Sequence, residues 1–82
     1  MMKIGFFGAL GDLVARSIDL DLPASIVNVG QLRDYLSGQY PIAGPLLSDD
    51  RSRCVVEGSL VESGCSLQGV ELVEFLPPVS GG

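Results

Sequence analysis

Apolar and polar positions change their spacing several times along this chain, and each change marks an element. Lys3 to Gly8 is a short apolar and aromatic run of the kind a buried strand requires. Ser17 to Leu22 sets Ile18, Leu20 and Leu22 against Asp19 and Asp21, the alternation of a half-exposed strand. Gly8, Gly11 and Asp12 lie between the two runs and predict a hairpin whose loop is longer than the two-residue type. Phe6 and Phe7, being adjacent, must face opposite sides of the first strand. One belongs in the core, and the other is left for a loop or a partner to cover.

Pro23 ends the second strand. Asn28 then offers a helix N-cap with Gln31 three residues on, and Val27 and Leu32 stand at the positions of a hydrophobic staple. Val29, Leu32 and Leu36 recur at helical spacing with Tyr35 widening the stripe, so a helix is predicted from Val29 to Ser37, closed by Gly38 in a left-handed cap. Neither period survives from Gln39 to Arg53, where a loop with a short helical turn at Ile42 to Leu47 is expected. Cys54 to Glu57 and Leu60 to Glu62 favour strand, and Gly58-Ser59 between them predicts a type II′ hairpin. Val70 to Leu76 is nearly all apolar and so should be central, and Pro77-Pro78 removes two backbone donors and stops the ladder.

The order strand, strand, helix, strand, strand, strand predicts an α+β fold, the β-grasp or ubiquitin-like roll: a mixed five-stranded sheet covered by one main helix. The first and last strands are expected side by side and parallel in its middle. With 82 residues, 46% of them hydrophobic, there is room for one core. The expected division is a β-grasp body over 1–76 and an extended tail over 77–82.

Charge narrows the partners. Five Lys and Arg against ten Asp and Glu leave a net charge of −5, which repels phosphate backbones and anionic lipid and suits a basic protein surface. Neither nucleic acid nor membrane is expected as a partner, since no apolar run approaches the roughly 18 residues of a membrane span. Asp12 interrupts the apolar start as a signal peptide, and two cysteines do not make the framework of a secreted scaffold, so a cytoplasmic location is expected. Cys54 reads as a small buried hydrophobe and Cys65 as the more exposed thiol. There is no histidine, so a tetrahedral zinc site cannot be assembled from this chain alone. Asp49, Asp50, Glu62 and Glu71 are scattered and read as solvated surface, and Gly5, Gly8 and Gly11 do not make a phosphate-binding fingerprint.

The tail carries the chemistry. Pro77 and Pro78 favour an extended departure from the sheet, and at roughly 3.3 Å per residue Pro77 to Gly82 would project about 20 Å. Gly81 and Gly82 are the thinnest possible peptide, able to thread a narrow channel and to leave the final carboxylate unshielded. A carboxylate is a poor acyl donor until a better leaving group replaces an oxygen, which adenylation with ATP achieves; sulfur can then displace AMP. No nucleophile and base pair is found in the chain, so the activating machinery must be another protein.

The segment Phe75-Leu76-Pro77-Pro78-Val79-Ser80-Gly81-Gly82 resembles the C-terminus of the molybdopterin synthase small subunit, the MoaD-type sulfur carrier. Lys3-Ile4-Gly5-Phe6-Phe7-Gly8 is similar to that family's opening strand, Asn28-Val29 to its helix start, and Cys54 to Val61 to its third strand and turn. Glu57, Gly11-Asp12, Glu74 and the position of Gly69 depart from the family pattern, and none of them touches the tail.

The resemblance implies a cycle with no permanently bound cofactor. An ATP-dependent adenylyltransferase of MoeB type activates Gly82, and a sulfurtransferase or cysteine desulfurase system converts it to a thiocarboxylate. The tail enters the large subunit, of MoaE type, within a heterotetramer, and sulfur passes to cyclic pyranopterin monophosphate to build the dithiolene. Gly82 would carry the sulfur; Gly81, Ser80, Val79, Pro78 and Pro77 would position the arm; Phe75, Leu76 and Phe7 would form the apolar docking surface. The chain would thus be a sulfur-donor subunit, with the catalytic side chains on the large subunit. Three other readings share part of this pattern: the sulfur carrier of thiamine biosynthesis, a ubiquitin-like modifier joined to lysines, and a plain interaction module.

Overall fold

The computed structural model describes residues 1–78. Its strands are β1 (Met2–Phe6), β2 (Ser17–Leu20), β3 (Arg53–Val56), β4 (Ser59–Val61) and β5 (Leu72–Leu76), and its helices are α1 (Gly8–Leu13), α2 (Val29–Gln39) and α3 (Gly44–Leu47), with a 3₁₀ turn at Pro41–Ala43. The strands form one sheet in the order β2-β1-β5-β3-β4. β1 and β5 run parallel, and the β1–β2, β3–β4 and β3–β5 pairs are antiparallel. This is the β-grasp roll, with β5 in the centre. The least alternating strands occupy the middle because both of their edges are paired and one face of each packs on helix.

Parity along the strands decides what enters the core. Met2, Ile4 and Phe6 of β1, Val73 and Phe75 of β5, and Cys54 and Val56 of β3 are buried on one face, where Val29, Leu32 and Leu36 of α2 meet them. Each such side chain, moved fully out of water, contributes roughly 1.5–3 kcal/mol. α2 begins as its capping residues predict: Asn28 Oδ1 accepts from the Gln31 amide at 2.8 Å. The return bond is displaced by one residue, since Gln31 Oε1 accepts from the Val27 amide at 2.7 Å. Val27 does not staple onto Leu32; it stays 55% exposed.

Four local expectations are corrected. The β1–β2 connection is not an open hairpin loop but holds α1, because Leu10, Leu13 and Val14 recur at helical spacing and Leu10 is fully buried; that burial outweighs two glycines. α2 runs past Gly38 to Gln39 and is stopped by Pro41, whose ring holds Tyr40 out of the helical region at φ −126° and ψ 75°. The β3–β4 turn is made by Glu57 and Gly58, at φ 49° and 86°, the type I′ pattern rather than II′. Glu57 tolerates its left-handed backbone with its carboxylate engaged: Oε1 accepts from the amides of Glu71 at 2.7 Å and Leu72 at 3.1 Å, fastening the turn to the start of β5. That strand begins at Leu72 and not Val70, since Gly69 (φ 73°) turns the chain immediately before.

Candidate functional site: the root of the C-terminal arm

The residues proposed for the chemistry divide at Pro78. Val79, Ser80, Gly81 and Gly82 lie outside the described residues. What the structure shows is how the arm is anchored. At its C-terminal end β5 is held from both sides: the Phe7 amide donates to the Phe75 carbonyl at 3.0 Å, and Leu76 is paired with Arg53 of β3. Pro77 and Pro78 then offer no amide to either neighbour, so the ladder closes at Leu76 and the chain leaves from a fixed point in the middle of the sheet. Pro77 lies against the β1–α1 corner, where a Cβ built on Gly8 would stand 3.1 Å from its Cγ. Beside this corner a cavity of about 390 Å³ is lined by Phe6, Phe7, Gly11 and Arg16, among others.

The structure splits the expected docking surface. Phe75 is corrected: it is 1% exposed, with its ring centroid 6.1 Å from that of Phe6, so it belongs to the core and offers no side chain to a partner. Residues two apart on a strand share a face, and Phe75 shares that of Val73. Phe7, 48% exposed, and Leu76, half-buried, do stand at the surface beside the root of the arm. The outward face continues through Arg53, Val55 and the 68% exposed Leu60, a patch that the sequence reading did not include. Its signal was present, since Val55 has the parity opposite to Cys54 and Val56.

The remaining chemistry is sparse. Cys54 is buried, and burial pushes its thiol up to about 11, so it is protonated and inert at neutral pH; Cys65 is half-buried, with Sγ donating to the Ser66 carbonyl at 3.5 Å. The Arg51 side chain beside Asp49 holds that carboxyl below the usual range through hydrogen bonds at 3.0 and 3.1 Å. Among the described residues no three His, Cys, Asp or Glu side chains come together as metal ligands, and no helix is long and apolar enough to cross a membrane.

A small β-grasp sheet whose central strand ends at Pro77-Pro78 places the chain among proteins of ubiquitin-like fold. The ThiS family model matches residues 4–82, and the chain belongs to that family of ThiS- and MoaD-type ubiquitin-like sulfur carriers. Its fold is similar to that of SAMP1 from Haloferax volcanii, with a TM-score of 0.78 and 24% identity over 99% of this chain and 98% of that one. It is similar also to a protein of Pyrococcus furiosus described as a putative molybdopterin converting factor, subunit 1, with a TM-score of 0.76 and 19% identity over 95% and 97%. No protein of curated function matches significantly.

Proposed function

We propose that this chain is the sulfur-carrying small subunit of a cytoplasmic molybdopterin synthase, with Gly82 as the reacting residue. The observation that carries the reading is the tail motif Phe75 to Gly82 set at the end of a central strand tied on both sides. In the first step a Gly82 carboxylate oxygen attacks the α-phosphorus of ATP on a MoeB-type adenylyltransferase and releases pyrophosphate. The terminal sulfur of a persulfide on a sulfurtransferase or cysteine desulfurase then attacks the acyl carbon, and AMP leaves with the former carboxylate oxygen. A second thiol reduces the resulting acyl disulfide, releasing the thiocarboxylate and leaving a disulfide behind. The resulting thiocarboxylate enters the MoaE-type large subunit of a heterotetramer and donates sulfur to cyclic pyranopterin monophosphate.

The body of the protein serves this chemistry by presentation. Pro77 and Pro78 limit the directions in which the arm leaves, which reduces the entropy lost when it enters a channel. Val79 and Ser80 carry the arm onward, and Gly81 keeps it thin. Phe7 and Leu76 supply apolar contact at the mouth. ATP is used on the partner, and no cofactor remains on this chain.

The test is a mass spectrum of the protein after incubation with ATP, sulfide and an adenylating partner. Replacement of one terminal oxygen by sulfur supports the reading, and an unchanged mass with an active partner removes it. The likeness to SAMP1 favours a second reading, a ubiquitin-like modifier, which predicts branched conjugates on lysines instead of a free thiocarboxylate. Thiamine-pathway partners that outcompete the molybdopterin enzymes would assign the chain to that pathway.

A further inference from the structure

The sheet has two edges, β2 and β4, and they differ in the charge within their strands. β2 carries Asp19 within it and is flanked by Arg16 and Asp21, charges that discourage another strand from adding there. β4 is Ser59-Leu60-Val61, short and followed by Glu62 but with neither charge nor proline inside it, and Leu60 is 68% exposed. In a two-residue hairpin the positions flanking the turn, here Val56 and Ser59, exchange both hydrogen bonds. The next pair, Val55 and Leu60, therefore does not, and the Leu60 N–H and C=O point away from β3 into solvent.

Beside this edge a cavity of about 510 Å³ is lined by Leu60, Val61, Arg33 of α2 and Arg53, among others. Arg33 packs over the Phe75 ring at 5.9 Å from its centroid, and its Nε is buried with no hydrogen-bond acceptor. Arg53 is already engaged, its Nη1 donating to the carbonyls of Asp50, Arg51 and Ser52 at 3.2–3.4 Å. Asp50 and Glu62 also line the cavity, yet the one ion pair among the described residues is Asp49 with Arg51. Arg33 is thus a cation without an ionic partner, placed next to a strand edge with free backbone groups. The two carboxylates nearby disfavour a strongly acidic ligand and leave room for a single negative charge.

We propose that the β4 edge and the Arg33 groove receive an extended segment of a partner protein by strand addition, with apolar side chains and one acidic residue directed at Arg33. The backbone of the segment would pair with Leu60, and its carboxylate would pair with the outer nitrogens of the Arg33 guanidinium, Nε itself being buried. This site needs no chemistry at Gly82, so it stands or falls separately from sulfur transfer.

The experiment titrates the ¹⁵N-labelled full chain with a capped peptide of alternating valine and threonine bearing a central glutamate, and with the same peptide bearing lysine. Saturable shifts are expected along Ser59–Val61 and at Arg33, with slowed exchange of the Leu60 amide and binding of the glutamate peptide roughly fivefold tighter. Arg33→Gln should make the two peptides equal. Leu60→Pro should abolish binding of both while the cooperative melt persists, since the lost amide faces solvent; if that variant does not fold, Arg33→Gln decides alone. The inference is overturned by the absence of saturable shifts, by equal binding of the two peptides to the unmodified chain, or by shifts along Ser17–Leu20. A concentration-dependent dimer competing with the peptide would overturn it too, making a second copy the occupant.

Discussion

Phe7 and Phe75 were both candidates for docking, and truncating each to alanine separates a surface role from a core role. A phenylalanine buries on the order of 200 Å² when fully enclosed. Phe75 is 1% exposed, so at about 25 cal/mol per Å² it contributes some 5 kcal/mol, and Phe75→Ala should cost about 3–5 kcal/mol once partial relaxation is allowed. Phe7 is 48% exposed; about half that area is buried, and alanine retains part of it, so Phe7→Ala should cost about 1–2 kcal/mol. Total stability for 82 residues is about 4–12 kcal/mol, so the first change consumes a large share of it and the second does not. At roughly 4–8 °C per kcal/mol, the melting temperature should fall by about 12–40 °C for Phe75→Ala and by about 4–16 °C for Phe7→Ala, the first drop being about two to three times the second at any one conversion. Thermal unfolding followed by far-UV circular dichroism reads this directly, and thiocarboxylate formation with the adenylating partner reads docking. Phe7→Ala should raise the KM for the carrier with kcat nearly unchanged. A Phe7→Ala protein as unstable as Phe75→Ala would refute the assignment of faces, and an unchanged KM would refute the docking role.

Four further outcomes are expected. Deleting Gly82 should abolish sulfur loading while the melting temperature stays within about 1 °C, since a terminal residue adds little to burial; loading that survives the deletion counts against the carrier mechanism. Glu57→Ala should cost about 1–2 kcal/mol in urea unfolding, because it keeps the left-handed backbone and removes the acceptor of the Glu71 and Leu72 amides; a neutral result would show that the clamp contributes nothing. Cys54 has its thiol pushed from 9.0 up to about 11 by burial, so its neutral form is favoured by the fold. Its contribution is present below about pH 9 and is lost as pH rises towards 11, so a Cys54→Ser or Cys54→Ala protein should show a flatter stability profile there than the unmodified chain. At pH 8 iodoacetamide should label Cys65 well before Cys54, and equal rates would contradict the burial.

Much of the framework was legible from periodicity, because it follows from short-range rules. Strand alternation, the Asn28 cap and the Pro77-Pro78 stop each act within a few residues, and so the strand order, α2 and the central place of β5 all followed. The errors fall where a distant partner decides. Gly8 to Leu13 reads as a glycine-rich loop until Leu10 finds the core. Gly38 reads as a cap, but a helix continues until something stops it, and here that is Pro41. The β3–β4 turn lies one residue earlier than Gly58-Ser59 would have it, because Glu57 is held in place by amides fourteen and fifteen residues away.

The candidate site divides in the same way. That an arm of two prolines and two glycines follows the most apolar strand is written in the order of residues, since proline and glycine act on their own backbone. Which aromatic ring beside that arm faces a partner is not written there, because Phe7 and Phe75 are equally apolar and only the pairing of Phe6 with Phe75 fixes the parity of both strands. Likewise Arg33 and Arg53 stand 20 positions apart and Leu60 follows 7 further on, with nothing in the sequence to connect them until the sheet closes and brings a helix face to a strand edge. Local stereochemistry chose the elements of this protein; register, a long-range property settled by burying one face of the sheet, chose its surface.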